Sequence, residues 1–228
     1  MGDTRNKEAR LTVVTGGSRG LGEALVRAFA PHSRVLAVAR DFPSDFQVPE
    51  GVELLRADLT SPVGAVQVGR GVGERKVDVL IHNAGILGPR VPIAEYPEEA
   101  WDAVLKLNLT AVFRLTKALL PLMREPGGCI LHVGSGAGRR VAPQWGAYAV
   151  SKFGIDALSM LLAEELKPRG IRVHSINPVG MRTAMRAAAH PQEDPATLPA
   201  PAEVAPYFVT VASAAAEEYP VILDAPRP

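Results

Sequence analysis

Tyr148 and Lys152 are spaced as i and i+4, and Ser135 stands upstream of them, where a strand-like stretch gives way to a Gly/Pro-rich loop. Residues four apart share one face of a helix, so the Lys152 ammonium can sit beside the Tyr148 hydroxyl and favour its ionised form. A free tyrosine has a pKa of about 10. Useful basicity near neutrality needs a depression of about 2–3 units, worth about 3–4 kcal/mol of differential charge stabilisation. The chemistry on offer is proton transfer by a tuned phenol, with the Ser135 hydroxyl at hand. Taken one by one the residues have ordinary alternatives: Ser135 as a turn former, Tyr148 as a surface helix residue, Asn108 as the polar cap of an interrupted helix.

Such groups need a scaffold, and the apolar pattern describes one. Strand-like runs recur at 11–15, 34–39, 52–56, 78–82, 129–134, 171–177 and 220–224, alternating with helical patterns, notably 97–123 and 145–167. The alternation predicts an α/β, Rossmann-like fold: a doubly wound parallel sheet of about seven strands with helices on both faces, in one domain over 1–228. Four glycines, Gly64, Gly69, Gly71 and Gly73, lower helix propensity across 60–76, where a short or frayed helix is expected. The Ala- and Pro-rich segment 184–201 reads as a loop or broken helix over the site, a candidate substrate lid.

The first strand-like run leads directly into Gly16-Gly17-Ser18-Arg19-Gly20-Leu21-Gly22 and then a helical pattern. Strand, glycine turn and helix are the setting of a dinucleotide-binding loop: the glycines permit a tight turn and close approach to a pyrophosphate, which the free N–H groups of the helix N-terminus bind.

With Asn83-Ala84-Gly85, Asn108, Ser135 and the Tyr148/Lys152 pair in register, the chain resembles the short-chain dehydrogenase/reductase family over about residues 10–183. Within it, Asn177-Pro178-Val179-Gly180-Met181-Arg182-Thr183-Ala184-Met185-Arg186 and the later Glu193-Asp194-Pro195 resemble a bacterial branch, the YciK-type oxidoreductases. The resemblance implies that Tyr148 protonates a carbonyl oxygen, or takes an alcohol proton, while hydride passes to or from nicotinamide. It implies that Ser135 binds the substrate oxygen, that Lys152 binds the nicotinamide ribose, and that Asn108 anchors a water in the proton relay. Gly16, Ser18, Arg19, Gly20, Leu21 and Gly22 would hold the phosphates; Asp58 and Leu59 the adenine; Asn83, Ala84 and Gly85 the adenosine ribose and the floor of the site; Pro178, Met181 and Thr183 the nicotinamide. The family usually has glycine after that proline. Here it is Val179, so the turn must differ or Gly180 must absorb the strain.

Charge selects the cofactor. Arg40 ends the second strand, where the family reads the adenosine ribose; a guanidinium there pairs bidentately with a 2′-phosphate, and Arg19 adds a second contact. NADP(H) is expected over NAD(H). Asp41 could oppose this by binding ribose hydroxyls, but it fits better as the start of the next turn, bonded to its own backbone. The substrate pocket is sketched by Ser135, Gly136, Trp145 and Met185, with Arg139, Arg140, Val141, Ile86 and Leu87 nearby. Apolar walls and a tryptophan suit a small carbonyl or alcohol with an apolar or aromatic body; Arg139 and Arg140 would instead suit a carboxylate or phosphate.

The 228 residues are 47% apolar and 21% charged, an ordinary globular balance, and the formal net charge of +1 gives no electrostatic reason for a nucleic-acid or anionic-membrane partner. The chain lacks an apolar run long enough to span a bilayer, its first ten residues lack the apolar core of a signal peptide, and a cytoplasmic protein is expected. The single Cys129 reads as a packed, inert thiol, and the five histidines show no ligand spacing, so no metal is expected. The family commonly pairs its two long helices between subunits, implying a homodimer or homotetramer through positions such as Val112, Leu115, Leu119, Leu158, Leu161 and Leu162, which could equally be core. Two rival readings remain: a dinucleotide-binding regulator on this fold without turnover, and a sugar-nucleotide epimerase or dehydratase. The latter is disfavoured by its different glycine spacing and its need for a substantial C-terminal substrate domain.

Overall fold

The seven apolar runs form β1 (Leu11–Thr15), β2 (Arg34–Ala39), β3 (Val52–Arg56), β4 (Val79–His82), β5 (Cys129–Val133), β6 (Arg172–Asn177) and β7 (Ile222–Asp224). They pair in parallel in the order β3-β2-β1-β4-β5-β6-β7. This computed structural model describes residues 10–215 and 218–227; most of the polar N-terminal segment read above lies outside the described residues. The chain leaves β1 toward β2 on one side and returns to β4 on the other, so a crevice opens at the carboxyl ends of β1 and β4.

Both faces of the sheet are covered, which is why its strands read as continuous apolar runs. On one face, α1 (Gly20–Phe29) and α7 (Pro201–Ser213) bury Leu25, Val26, Phe29, Val204, Phe208 and Val211 against Val14, Ala37, Ile81, Leu131 and Ile176. On the other, α2 (Pro62–Val72), α4 (Ala111–Leu119) and α5 (Gly146–Leu166) bury Val68, Val72, Leu115, Leu119, Leu162 and Leu166 against Val13, Leu36, Leu80, Ile130 and Val173. Successive strand residues thus feed opposite cores, each full side-chain burial worth about 1.5–3 kcal/mol.

One local expectation needs correction. The 60–76 segment holds a regular helix, α2, capped by the Ser61 hydroxyl on the Val63 N–H (3.3 Å) with Pro62 in its first turn. Its Gly64 is there for close packing: a Cβ would lie 2.1 Å from the Asp58 carbonyl oxygen. The pattern over 97–123 is borne out as one unbroken helical run over 98–122, in which α3 (Glu98–Leu105) continues into α4 through a widened, π-helical turn at Lys106–Thr110.

Segment 184–201 contains the short helix α6 (Ala184–Ala189) and a single turn at Pro195–Thr197. Helix α7, which follows, was not marked by the sequence pattern. Among the described residues no helix is long and apolar enough to cross a membrane. Cys129 is fully buried, and burial pushes its thiol up to about 11, so it stays protonated and inert at neutral pH.

Candidate active site

The glycine loop and the Asn83-Ala84-Gly85 turn meet at the crevice. The Thr15 hydroxyl donates to the Ile81 carbonyl (3.1 Å) and accepts from the N–H groups of Asn83 (3.0 Å) and Ala84 (3.1 Å), while Asn83 Nδ2 donates to the carbonyls of Thr15 (2.9 Å) and Gly16 (3.2 Å). Thr15 was not among the expected site residues; its only sequence signal is a hydroxyl at the end of an apolar strand. Gly16 has φ +66°, and a Cβ on Gly22 would lie 1.9 Å from the Gly16 carbonyl oxygen. Side chains there would fill the loop. The α1 N-terminus has no side-chain cap, so its N–H groups remain for an anion, and Arg19 beside them is exposed. These residues fit a dinucleotide pyrophosphate.

Arg40 is exposed at the end of β2. Asp41 accepts the Phe42 N–H at 2.9 Å and faces Arg56 at 3.4 Å, so its carboxylate is occupied in the turn. Asp58 accepts both the N–H (2.9 Å) and hydroxyl (2.7 Å) of Thr60, bonds that hold its carboxyl below the usual range. Leu59 beside it is buried.

Ser135 follows β5 and begins a tight turn in which its hydroxyl accepts the Ala137 N–H at 3.2 Å. The turn presses onto α5: a Cβ on Gly138 would lie 2.7 Å from the carbonyl carbon of Lys152. Tyr148 and Lys152 occupy successive turns of α5, and both are buried. Burial raises the Tyr148 pKa and the nearby Ser135 hydroxyl opposes the rise. The depression expected from the lysine does not appear, because Lys152 Nζ lies 5.7 Å from the Tyr148 ring centre and donates instead to the Val133 carbonyl at 2.6 Å. Burial brings Lys152 itself down to about 8, with Asp156 pulling the other way.

Asn108 sits in the widened turn between α3 and α4, which turns its side chain inward to 2% exposure. Its Oδ1 accepts the Ile86 N–H (2.9 Å), and its Nδ2 donates to the Ile86 carbonyl (2.9 Å) and the Ser151 hydroxyl (3.1 Å). It therefore joins the loop after Gly85 to the helix carrying Tyr148. A Cβ on Gly85 would lie 3.2 Å from Asn108 Oδ1, so that glycine admits the amide.

Over the site, Trp145 lies 5.6 Å from Tyr148 and 5.8 Å from His190, ring centre to ring centre. Arg90 stacks on Trp145 (4.1 Å) and donates to the carbonyls of Gln144 (3.1 Å) and Ala189 (2.9 Å), tying the 184–201 segment down. Sequence reasoning did not single out Arg90 or His190; no spacing links them to Trp145. Met185 in α6 is exposed. Arg139 cannot serve a substrate anion as considered above, because its guanidinium is spent on Asp156 (3.1 Å), Asp224 (2.7 Å) and two backbone carbonyls.

The nicotinamide segment departs from expectation. Pro178 and Met181 are buried and Thr183 caps α6, accepting the Arg186 N–H at 3.2 Å, but Val179 itself has φ +61°. The positive φ falls on Val179 and not on Gly180. A β-branched residue holds a backbone region suited to glycine, kept there by packing on the α1/α7 core.

A family model for short chain dehydrogenases matches residues 10–194. The chain belongs to the short-chain dehydrogenase family. The YciK oxidoreductase of Escherichia coli (strain K12) is 34% identical over 214 residues, covering 88% of this chain and 84% of that protein. A short-chain dehydrogenase from Pseudomonas syringae superposes with TM-score 0.88 at 32% identity, over 99% of this chain and 98% of the other. A short-chain dehydrogenase of E. coli CFT073, solved with NADPH, superposes with TM-score 0.84 at 31% identity, over 97% and 99%. This short-chain dehydrogenase thus has the seven-stranded Rossmann-like sheet of its relatives, and the YciK-type resemblance holds.

Proposed function

We propose that this short-chain dehydrogenase is an NADP(H)-dependent carbonyl reductase or alcohol dehydrogenase acting on a small carbonyl or alcohol. The observation that carries the reading is the Ser135 turn packed against the helix that holds buried Tyr148 and Lys152, at the carboxyl end of the sheet. A bound nicotinamide supplies the hydride and, once oxidised, a positive ring. Tyr148 gives its phenolic proton to the carbonyl oxygen, and Ser135 donates a hydrogen bond that fixes that oxygen. Lys152 holds positive charge behind the phenolate and reaches the ribose, and Asn108 with the Ile86 carbonyl continues the polar path away from the lysine. Gly16, Ser18, Arg19, Gly20, Leu21 and Gly22 hold the pyrophosphate, with Asp58, Leu59, Asn83, Ala84 and Gly85 along the adenosine half and Pro178, Met181 and Thr183 along the nicotinamide. Gly136, Trp145 and Met185 border the substrate, and 184–201 closes as a lid.

Arg40 and Arg19 support NADP(H) over NAD(H), in keeping with the NADPH held by the E. coli CFT073 neighbour. A homodimer or homotetramer is supported by the apolar face of α4 and α5, where Phe113 is 53% and Leu161 61% exposed beside Val150, Phe153 and Met160. Val112, Leu115, Leu119 and Leu162 belong to the core instead.

The test follows NADPH and NADH oxidation against quinones, aldehydes, diketones and β-keto esters, with Tyr148→Phe alongside. Turnover with NADPH that disappears in the variant is expected. NADPH that raises the melting temperature yet is never consumed would favour a dinucleotide-binding regulator.

A further inference from the structure

Asp224 ends β7, far in sequence from every residue assigned to the reaction, yet its Oδ1 accepts hydrogen bonds from both segments that flank the site. Arg139 Nη1 donates at 2.7 Å and Asn177 Nδ2 at 2.6 Å. Arg139 closes the turn that begins with Ser135, and Asn177 immediately precedes Pro178 and the strained Val179. The two segments already touch, since a Cβ on Gly136 would stand 3.7 Å from Asn177 Nδ2.

The anchorage extends into the sheet. Arg139 also donates to Asp156 Oδ2 (3.1 Å) and to the carbonyls of Leu223 (2.7 Å) and Ser175 (3.3 Å). The Ser175 hydroxyl donates to the other oxygen of Asp156, and the Ala225 N–H donates to the Asn177 carbonyl at 2.9 Å. Arg139 therefore keeps three attachments without Asp224. Asn177's side chain is tied to the Ser135 turn through Asp224 alone among the bonds it makes in this network.

We propose that Asp224 is a positioning residue for the hydride transfer inferred above, holding the Ser135 turn and the nicotinamide-facing segment at a fixed separation. Its side chain is 66% exposed, and an exposed carboxylate contributes little to folding stability. What one oxygen shared by two donors supplies is geometry. Ser135 sets the substrate oxygen and 178–181 sets the ring, so slack between them moves donor from acceptor, and a displacement of about 1 Å can cost about 10²-fold in rate.

The proposal rests on the reductase reading, and the test separates the two. Wild type, Asp224→Ala and Asp224→Asn are compared by urea midpoint, NADPH affinity from fluorescence titration, and kcat and KM with the best carbonyl compound of the panel. Asp224→Ala should keep the wild-type midpoint and hold KM within about 3-fold, while kcat falls by about 10-fold or more. Asp224→Asn keeps an amide oxygen able to accept both bonds and should recover most of that loss. An active wild type with an Asp224→Ala kcat within about twofold of it, or an Asn variant as impaired as the Ala variant, overturns the proposal alone. A wild type that binds NADPH but reduces nothing removes the reductase reading and this proposal with it.

Discussion

Lys152 Nζ donates to the Val133 carbonyl at 2.6 Å, which anchors the ammonium to the strand that leads into the Ser135 turn. The bond holds a charge in a buried place at the expense of stability, since burial brings the lysine from 10.5 to about 8. Lys152→Met should therefore abolish turnover yet raise unfolding free energy at pH 7 by about 1–3 kcal/mol. Below about pH 8 folded and unfolded chains both carry the proton and the penalty is full. Between about 8 and 10.5 the folded chain has lost it and the unfolded chain has not, so wild-type stability rises with pH and the gap to the variant closes. Urea titrations at pH 7 and 10 check this; a gap that widens with pH would refute it.

Arg40, exposed at the end of β2, is the cation we propose to read a 2′-phosphate. Arg40→Ala should weaken NADPH binding by about 10-fold or more and leave NADH within about twofold, as removal of one charge-assisted contact requires. Equal losses for the two cofactors would show that Arg40 does not read the phosphate.

Val179 offers a test of backbone strain. A valine at φ +61° costs about 1–3 kcal/mol, close to what its half-buried side chain and lower unfolded-state entropy return. Val179→Gly should thus change stability by less than about 1 kcal/mol, whereas the same replacement at a buried extended valine such as Val173 should cost about 3 kcal/mol. Comparable losses at the two positions in urea unfolding would mean Val179 is not strained.

Arg90 joins the Gln144 and Ala189 carbonyls while stacked on Trp145. With Arg90→Ala, the 184–201 segment loses its tie to the α5 entrance, so thermolysin should cut within 184–198 several-fold faster; if the segment is the proposed lid, the carbonyl KM should rise by about 5- to 30-fold, with NADPH affinity unchanged. An unaltered cleavage rate would sink the tie.

If the exposed face of α4 and α5 is where subunits meet, then a carboxylate there is buried without a partner on association. Leu161→Glu should convert an oligomer to a monomer by light scattering. A wild type that is monomeric across a wide concentration range would end this reading.

The strands were the most legible part of the fold. β1, β2 and β3 match the expected runs residue for residue; β1 and β2 because strands buried on both faces are apolar nearly throughout, and β3, a partly exposed edge strand, through Val52, Leu54 and Leu55. Helix α7 escaped notice because Pro201 and Pro206 interrupt the helical pattern; it is helical because Pro201 sits in the first turn and Val204, Phe208 and Val211 share a face that packs with Leu25 and Phe29. The glycines of α2 suggested fraying, since helix propensity says nothing of the Asp58 carbonyl that Gly64 accommodates.

The site divides in the same way. Residue types and spacing determined the glycine loop, Asn83-Ala84-Gly85 and the Tyr148/Lys152 pair, because each is a local motif whose geometry lies within a turn or two of backbone. Tertiary structure alone decided that Lys152 bonds Val133 rather than Tyr148, that Arg139 faces Asp224 rather than a substrate, and that His82 and His132 stack 5.0 Å apart, each bonded to a hydroxyl. Those outcomes depend on which carbonyl, carboxylate or ring the neighbouring strand delivers. Burial then sets protonation, keeping both histidines neutral and bringing Lys152 down to about 8, and the low-dielectric surroundings responsible exist only once the sheet and its helices have closed.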